Sequence, residues 1–242
     1  SGSTTQGGNH VAFTWGDALF VTLDPYANTM QKRRSDEDGW NCTLGGAQYD
    51  WLVSTLRGSD AKWKFVFVHN LVGGIGKDSR GGSEAADWFE WGGQNADGTD
   101  GFAENRPGWE KPIHDLLVET GVTAVFHGHD HFYARQEKDG VIYQLVPQPS
   151  HPGSTVMNGS EYGYESGQML PPSGHLRVLV SSAGVRIDYV KTLLANAAGG
   201  ATTASTPGTA LADSYRVGTD GSILQLPIDA TSTTGTTGGK AG

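Results

Sequence analysis

Short, almost wholly apolar runs alternate along this chain with long stretches rich in glycine and charge. Residues 11–15 and 18–23 are β-rich and flank Gly16-Asp17, a pattern that predicts a hairpin. Asp24-Pro25 ends the second strand, and an irregular acidic loop follows. Over residues 46–57, Tyr49, Leu52, Val53 and Leu56 recur at i, i+3, i+4 and i+7, one face of a helix, with Gly58 placed to stop it. KFVFVH (64–69) is the kind of run a strand covered on both faces shows, which implies a parallel or mixed sheet inside layers of helices. Residues 71–108 make too long a connection for an ordinary loop and read as an insert over a site. Trp109, Ile113, Leu116 and Leu117 mark a second helix, with Pro112 in its first turn. Residues 122–126 form a second buried strand, and 141–146, 176–180 and 185–190 read as further strands.

The ends differ in character. Residues 1–10 are a polar lead-in, 11–190 carry the patterned domain, and 191–242 form a Gly/Thr/Ala-rich tail with one hairpin pattern at 214–226. A 36% hydrophobic content with 36 glycines assigns much of the chain to loops and turns. The net charge of −9 argues against nucleic-acid binding, because no basic stripe is available for phosphate contacts. Lys32-Arg33-Arg34 is followed at once by acidic residues and reads as a solvated loop. The single cysteine, Cys42, excludes an intrachain disulfide and a cysteine-based zinc knuckle. No apolar run approaches the roughly 18 residues of a membrane span. The opening SGSTTQGG, without an initiator methionine, reads as a processed end.

The chemistry concentrates in FHGHDHF (126–132). Ligands of open α/β sheets bind outside the carboxyl ends of the strands. His69 ends one buried strand, and His129 and His131 follow the next, so imidazoles from two strands can meet at one metal. Gly128 lets the backbone pass close to that point. His127 reads as a group that packs beneath the site or orients a neighbour, and Asp130 stands between the two ligand candidates. Asn70 is a candidate for contacting substrate or for capping the turn, and His151, in PQPSHPG, for reaching the cleft.

Gly128-His129-Asp130-His131 after an apolar strand resembles the GHxH signature of calcineurin-like metallophosphoesterases. KFVFVH is similar to that family's preceding metal-histidine strand, VAFTWGDALFVTLD to its paired strands after GNH[DE], and GGAQYDWLVSTL to the helix beyond them. The insert with DWFEWGG and RPGWEKPIH resembles that of secreted bacterial-type members, which implies an extracellular or periplasmic location. The resemblance implies the C-terminal half of a four-layer α/β/β/α sandwich with mixed sheets. It also implies a pair of divalent or trivalent ions (Fe, Zn or Mn) about 3.5–4 Å apart that act on a phosphate ester. By that resemblance His69 and His129 would bind one ion and His131 the other.

The family's DxH, its bridging GD and its GNH[DE] are missing from the expected places. Gly8-Asn9-His10 follows no strand and precedes no acid, so His10 is not read as the family's catalytic histidine, and Asp17 reads as a turn residue. No residue of the chain is therefore assigned as the catalytic acid. The expectation is a phosphomonoesterase or phosphodiesterase that is active only with an N-terminal half from a second polypeptide. The alternatives are a catalytically inactive assembly protein that self-associates through an open sheet edge, and a module that binds a single metal.

Overall fold

The computed structural model describes residues 9–30, 33–149, 158–195, 203–204 and 208–228. His151 and Lys32 lie outside them. The chain divides into two compact units: residues 1–130, 134–145 and 158–168, and residues 131–133, 146–157 and 169–242.

The first unit is a mixed sheet. Its strands are β1 (Val11–Trp15), β2 (Ala18–Thr22), β3 (Trp63–Val68), β4 (Ala124–His127), β5 (Tyr133–Lys138, whose first residue belongs to the second unit) and β6 (Val141–Leu145). They lie in the order β1-β2-β3-β4-β6-β5, and β2-β3-β4-β6 run parallel. β1 and β5 pair antiparallel with their neighbours. Helix α1 (Gly46–Arg57) joins β2 to β3 with the bounds that the apolar spacing predicts. Between β3 and β4 come α2 (Phe89–Gly92), α3 (Phe102–Asn105) and α4 (Ile113–Glu119). Pro112 sits just ahead of α4, where its missing N–H costs no helical bond.

One face of the sheet is built from Ala12, Leu19, Val21, Val66, Val68, Val125 and Tyr143, which pack with Leu52 and Leu56 of α1 and Leu116 and Leu117 of α4. Lys64 is on this side. Its ammonium donates to the carbonyls of Leu56 (3.1 Å) and Thr120 (2.8 Å), which is how a charge survives in an otherwise apolar strand. The other face carries a row of rings across the strands, Phe13–Phe20 (5.0 Å between centroids), Phe20–Phe67 (6.4 Å) and Phe67–Phe126 (5.1 Å). Burial along the row falls toward the edge: Phe126 is buried, whereas Phe13 is 43% exposed and Trp15, on the same edge strand, 79%.

The 71–108 insert is folded into the unit. Phe89 and Trp91 are buried, and the Trp91 indole donates to the Tyr143 hydroxyl (3.0 Å). Arg33, expected in a solvated loop, is buried instead: its guanidinium donates to the carbonyls of Gly73, Gly74 and Asp36 and lies 5.1 Å from the Phe89 ring. A glycine-rich loop leaves carbonyls that only a long cationic side chain can reach, and this outweighs the cost of burying the charge.

The chain passes to the second unit along β7 (Gln168–Leu170). That unit holds β8 (Gly174–Ser181), β9 (Gly184–Ala195), β10 (Thr203–Ala204), β11 (Gly208–Gly218) and β12 (Ile223–Gln225). β9 pairs antiparallel with β8 and β11, and β12 closes a hairpin on β11. Where composition predicts a tail from residue 191, β9 thus continues to Ala195 and β11 spans eleven residues. Tyr133 stacks on Tyr189 at 4.5 Å beside buried Ile187, Tyr215 and Val217.

Candidate metal centre

β3 and β4 lie in parallel register with Val68 opposite His127, so His69 and Gly128 emerge side by side at their carboxyl ends. The Gly128 N–H donates to the His69 carbonyl (2.8 Å) and ties the two exits together. A methyl at Gly128 would stand 3.5 Å from that carbonyl and 3.8 Å from His69 Nδ1, ordinary contact distances. The close passage expected to require glycine therefore leaves room for alanine. The chain then turns through left-handed backbone at His129 (φ 77°) and His131 (φ 71°), a region that residues with a Cβ seldom adopt.

His69 Nε2 and His129 Nδ1 face one another at 3.2 Å, with the rings edge to face. His129 Nε2 lies 2.8 Å from the Asp78 carbonyl. A carbonyl only accepts, so His129 Nε2 carries the proton and donates it, and the Nδ1 lone pair is left pointing at His69. Two imidazole nitrogens bound to one tetrahedral ion at about 2.0–2.1 Å each stand about 3.3 Å apart. The separation of this pair fits that demand, and its nitrogen donors suit zinc, iron or manganese. Among the described residues, however, no three His, Cys, Asp or Glu side chains are grouped so as to hold an ion.

The remaining candidates separate cleanly. His131 is exposed, its carbonyl accepts the Gln148 N–H (2.9 Å), and it belongs to the second unit. His127 is buried on the helix-covered face with Val125. Burial pushes its pKa down to about 4, and its Nε2 has no hydrogen-bond partner among the described residues. Asn70 is fully engaged: its amide donates to the carbonyls of Leu71 (3.1 Å) and Ser79 (3.4 Å), and its oxygen accepts from the Tyr26 hydroxyl (2.6 Å). That is a turn-capping arrangement. His10 packs against Trp51 of α1, 4.5 Å between centroids. Asp130 is buried and accepts from Arg80 (2.7 Å), the Gly81 N–H (3.1 Å) and the Tyr164 hydroxyl (2.9 Å). Asp78, Arg80, Tyr164 and Tyr26, whose ring is 5.8 Å from that of His69, are site neighbours that sequence reasoning misses. A backbone carbonyl has no sequence signature, and these side chains belong to no patterned element.

No family model and no curated protein sequence matches the chain. Among solved structures, a structure of PhoD aligns with a TM-score of 0.55 and 16% identity, covering 91% of this chain and 44% of that one. GAP50, the anchor in the inner membrane complex of Plasmodium, aligns at 0.43 with 13% identity, covering 75% of this chain and 49% of its own. The purple acid phosphatase PPD1 from yellow lupin (Lupinus luteus) seeds aligns at 0.38 with 14% identity, covering 75% and 30%. The likeness to PhoD shows a fold of the calcineurin-like metallophosphoesterase type. This chain spans less than half the length of the PhoD structure.

Proposed function

We propose that this chain supplies one half of the metal centre of a phosphoester hydrolase, secreted like the bacterial-type members it resembles, with the other half coming from a polypeptide that bears DxH, GD and GNH motifs. The observation that carries the reading is the opposed pair of His69 Nε2 and His129 Nδ1, delivered by adjacent parallel strands. His69 and His129 would hold one ion (Fe, Zn or Mn), which would supply Lewis acidity toward a phosphate ester. The chain's own work is to fix the ligands. β3 and β4 aim them, the Asp78 carbonyl sets the His129 tautomer, and Asn70 locks the turn after His69.

An incomplete ligand set supports a missing half, and so does the sheet. Among the described residues β1 is an edge strand, without a charge, a proline or a bulge to discourage pairing, and Val11, Phe13 and Trp15 are exposed on it. The same observation favours the second reading, an assembly protein whose edge binds another chain.

Hydrolysis separates the two. The chain is expressed together with a polypeptide carrying the three motifs and assayed on p-nitrophenyl phosphate and bis(p-nitrophenyl) phosphate. The proposal expects turnover that His129→Ala lowers at least about 100-fold, the loss typical of removing a transition-state electrostatic contact. Turnover indifferent to His129→Ala would sink it, and a complex that forms without any turnover favours the assembly reading.

A further inference from the structure

The first turn of the insert is a miniature hairpin. Ile75 and Arg80 exchange both backbone hydrogen bonds (2.8 and 2.9 Å), and the Ser79 N–H closes the loop on the Gly76 carbonyl (3.1 Å). Gly76 (φ 67°) and Ser79 (φ 55°) supply the left-handed backbone that so tight a loop needs. Its tip and its base grip two consecutive residues. At the tip, the Asp78 carbonyl accepts from His129 Nε2 (2.8 Å). At the base, the Arg80 guanidinium and the Gly81 N–H bind the carboxylate of Asp130, whose side chain is only 1% exposed. Tyr164, from the distant 158–168 segment, donates a third hydrogen bond to Asp130, on the same oxygen as Gly81 (2.9 Å). Arg80 is itself held flat, 3.9 Å from the Tyr162 ring.

Asp130 therefore sits between two residues in left-handed backbone and is fastened by three donors. Without such fastening, His129 would relax toward a commoner backbone conformation and swing its imidazole. We infer that Asp130, clasped by Arg80, Gly81 and Tyr164, is the positioning residue of the metal loop, and that the 75–81 hairpin is part of the metal centre rather than a cover over it. The inference rests on the reading of His129 as a ligand. Asp130 touches no metal in this scheme; it acts on His129 through the backbone, while the Asp78 carbonyl acts on the same ring directly.

The test titrates Zn²⁺ into the full chain by calorimetry and records the absorption of the Co²⁺ form, for the wild type, Asp130→Ala, Asp130→Asn and His129→Ala. Amide exchange at Gly81 is followed in each without metal. Loss of such an outer partner weakens metal binding about 10–100-fold, and that loss, with a changed Co²⁺ spectrum, is expected of Asp130→Ala. Asp130→Asn keeps an acceptor oxygen for Arg80 but turns an NH2 toward Gly81 and Tyr164, and is expected to lose less affinity than Asp130→Ala. Gly81 exchange is expected to quicken in Asp130→Ala and to stay unchanged in His129→Ala. Wild-type Zn²⁺ affinity and an unaltered Co²⁺ spectrum in Asp130→Ala would overturn the inference. A wild type that binds Zn²⁺ no better than His129→Ala would overturn the ligand reading, and the inference with it; the two failures are told apart by the His129→Ala arm. If Asp130→Ala does not fold, Tyr164→Phe removes one donor of the three: a several-fold affinity loss supports the inference, and unchanged affinity with unchanged Gly81 exchange overturns it.

Discussion

At the residue scale, the candidate centre depends on where protons sit. The Asp78 carbonyl forces the His129 proton onto Nε2 and frees Nδ1 toward His69. Gly128, by contrast, has room for a methyl group. Gly128→Ala is expected to shift the chemical-denaturation stability by no more than about 1 kcal/mol, the glycine-to-alanine range at sites of ordinary backbone; a loss several times larger would show a closer approach than the distances give. Asp188 in the second unit has a sharper electrostatic signature. Burial opposes its ionisation, but Ser214, Arg186 and Arg177 hold its pKa below the ordinary 3.8. The unfolded chain therefore binds this proton more tightly than the folded one. The stabilisation is complete above the unfolded pKa and is lost as pH falls through the folded value. Urea midpoints measured against pH should drop below about pH 4, in the aspartate range, and Asp188→Asn should flatten that drop; an unchanged profile would contradict the assignment. His69 and His129 stood out as candidates in the sequence because the first ends a short apolar run and the second closely follows another. Their partners were not, since Arg80, Asp78 and Tyr164 reach the site through loop geometry that no periodicity encodes.

At the scale of elements, apolar spacing located α1 to the residue, because Tyr49, Leu52 and Leu56 all face the sheet. Leu52 is fully buried there, so Leu52→Ala should cost about 2–5 kcal/mol in denaturant unfolding. A cost under about 0.5 kcal/mol, the scale of surface substitutions, would mean that α1 does not pack as described. β1 was legible as half of a hairpin, but its being an edge was not. Edge status follows from which strand is absent beside it, and no local pattern records that. Trp15→Lys puts a charge on this edge and is expected to reduce self-association in sedimentation velocity with little change in stability; undiminished association would place any contact elsewhere. The insert misled in the opposite sense. Its length marked it as an insert over a site, whereas Phe89 and Trp91 are buried and Trp91 is bonded to Tyr143 of β6. The inner parts of β9 and β11 were legible, residues 185–190 as a strand and 214–226 as a hairpin, but their outer ends were not, because the threonine, alanine and glycine there look like linker residues and only antiparallel pairing over many residues identifies them as strand.

At the scale of the whole molecule, two folded units account for most of the chain, and the metallophosphoesterase fold explains why the histidines lie at strand ends. The chain spans 44% of the PhoD structure, and no group of three metal-ligand side chains occurs among its described residues. An edge strand that exposes Phe13 and Trp15 and a facing pair of histidines are the observations behind one proposal, a fold that is completed from outside. The central claim is that His69 and His129 converge on an ion, and anomalous diffraction at the zinc edge from crystals grown with Zn²⁺ tests it most directly. The predicted result is a peak about 2.0–2.1 Å from both His69 Nε2 and His129 Nδ1, with His129 Nε2 still donating to the Asp78 carbonyl. A peak on His129 Nε2, or no peak between these two rings, would contradict it.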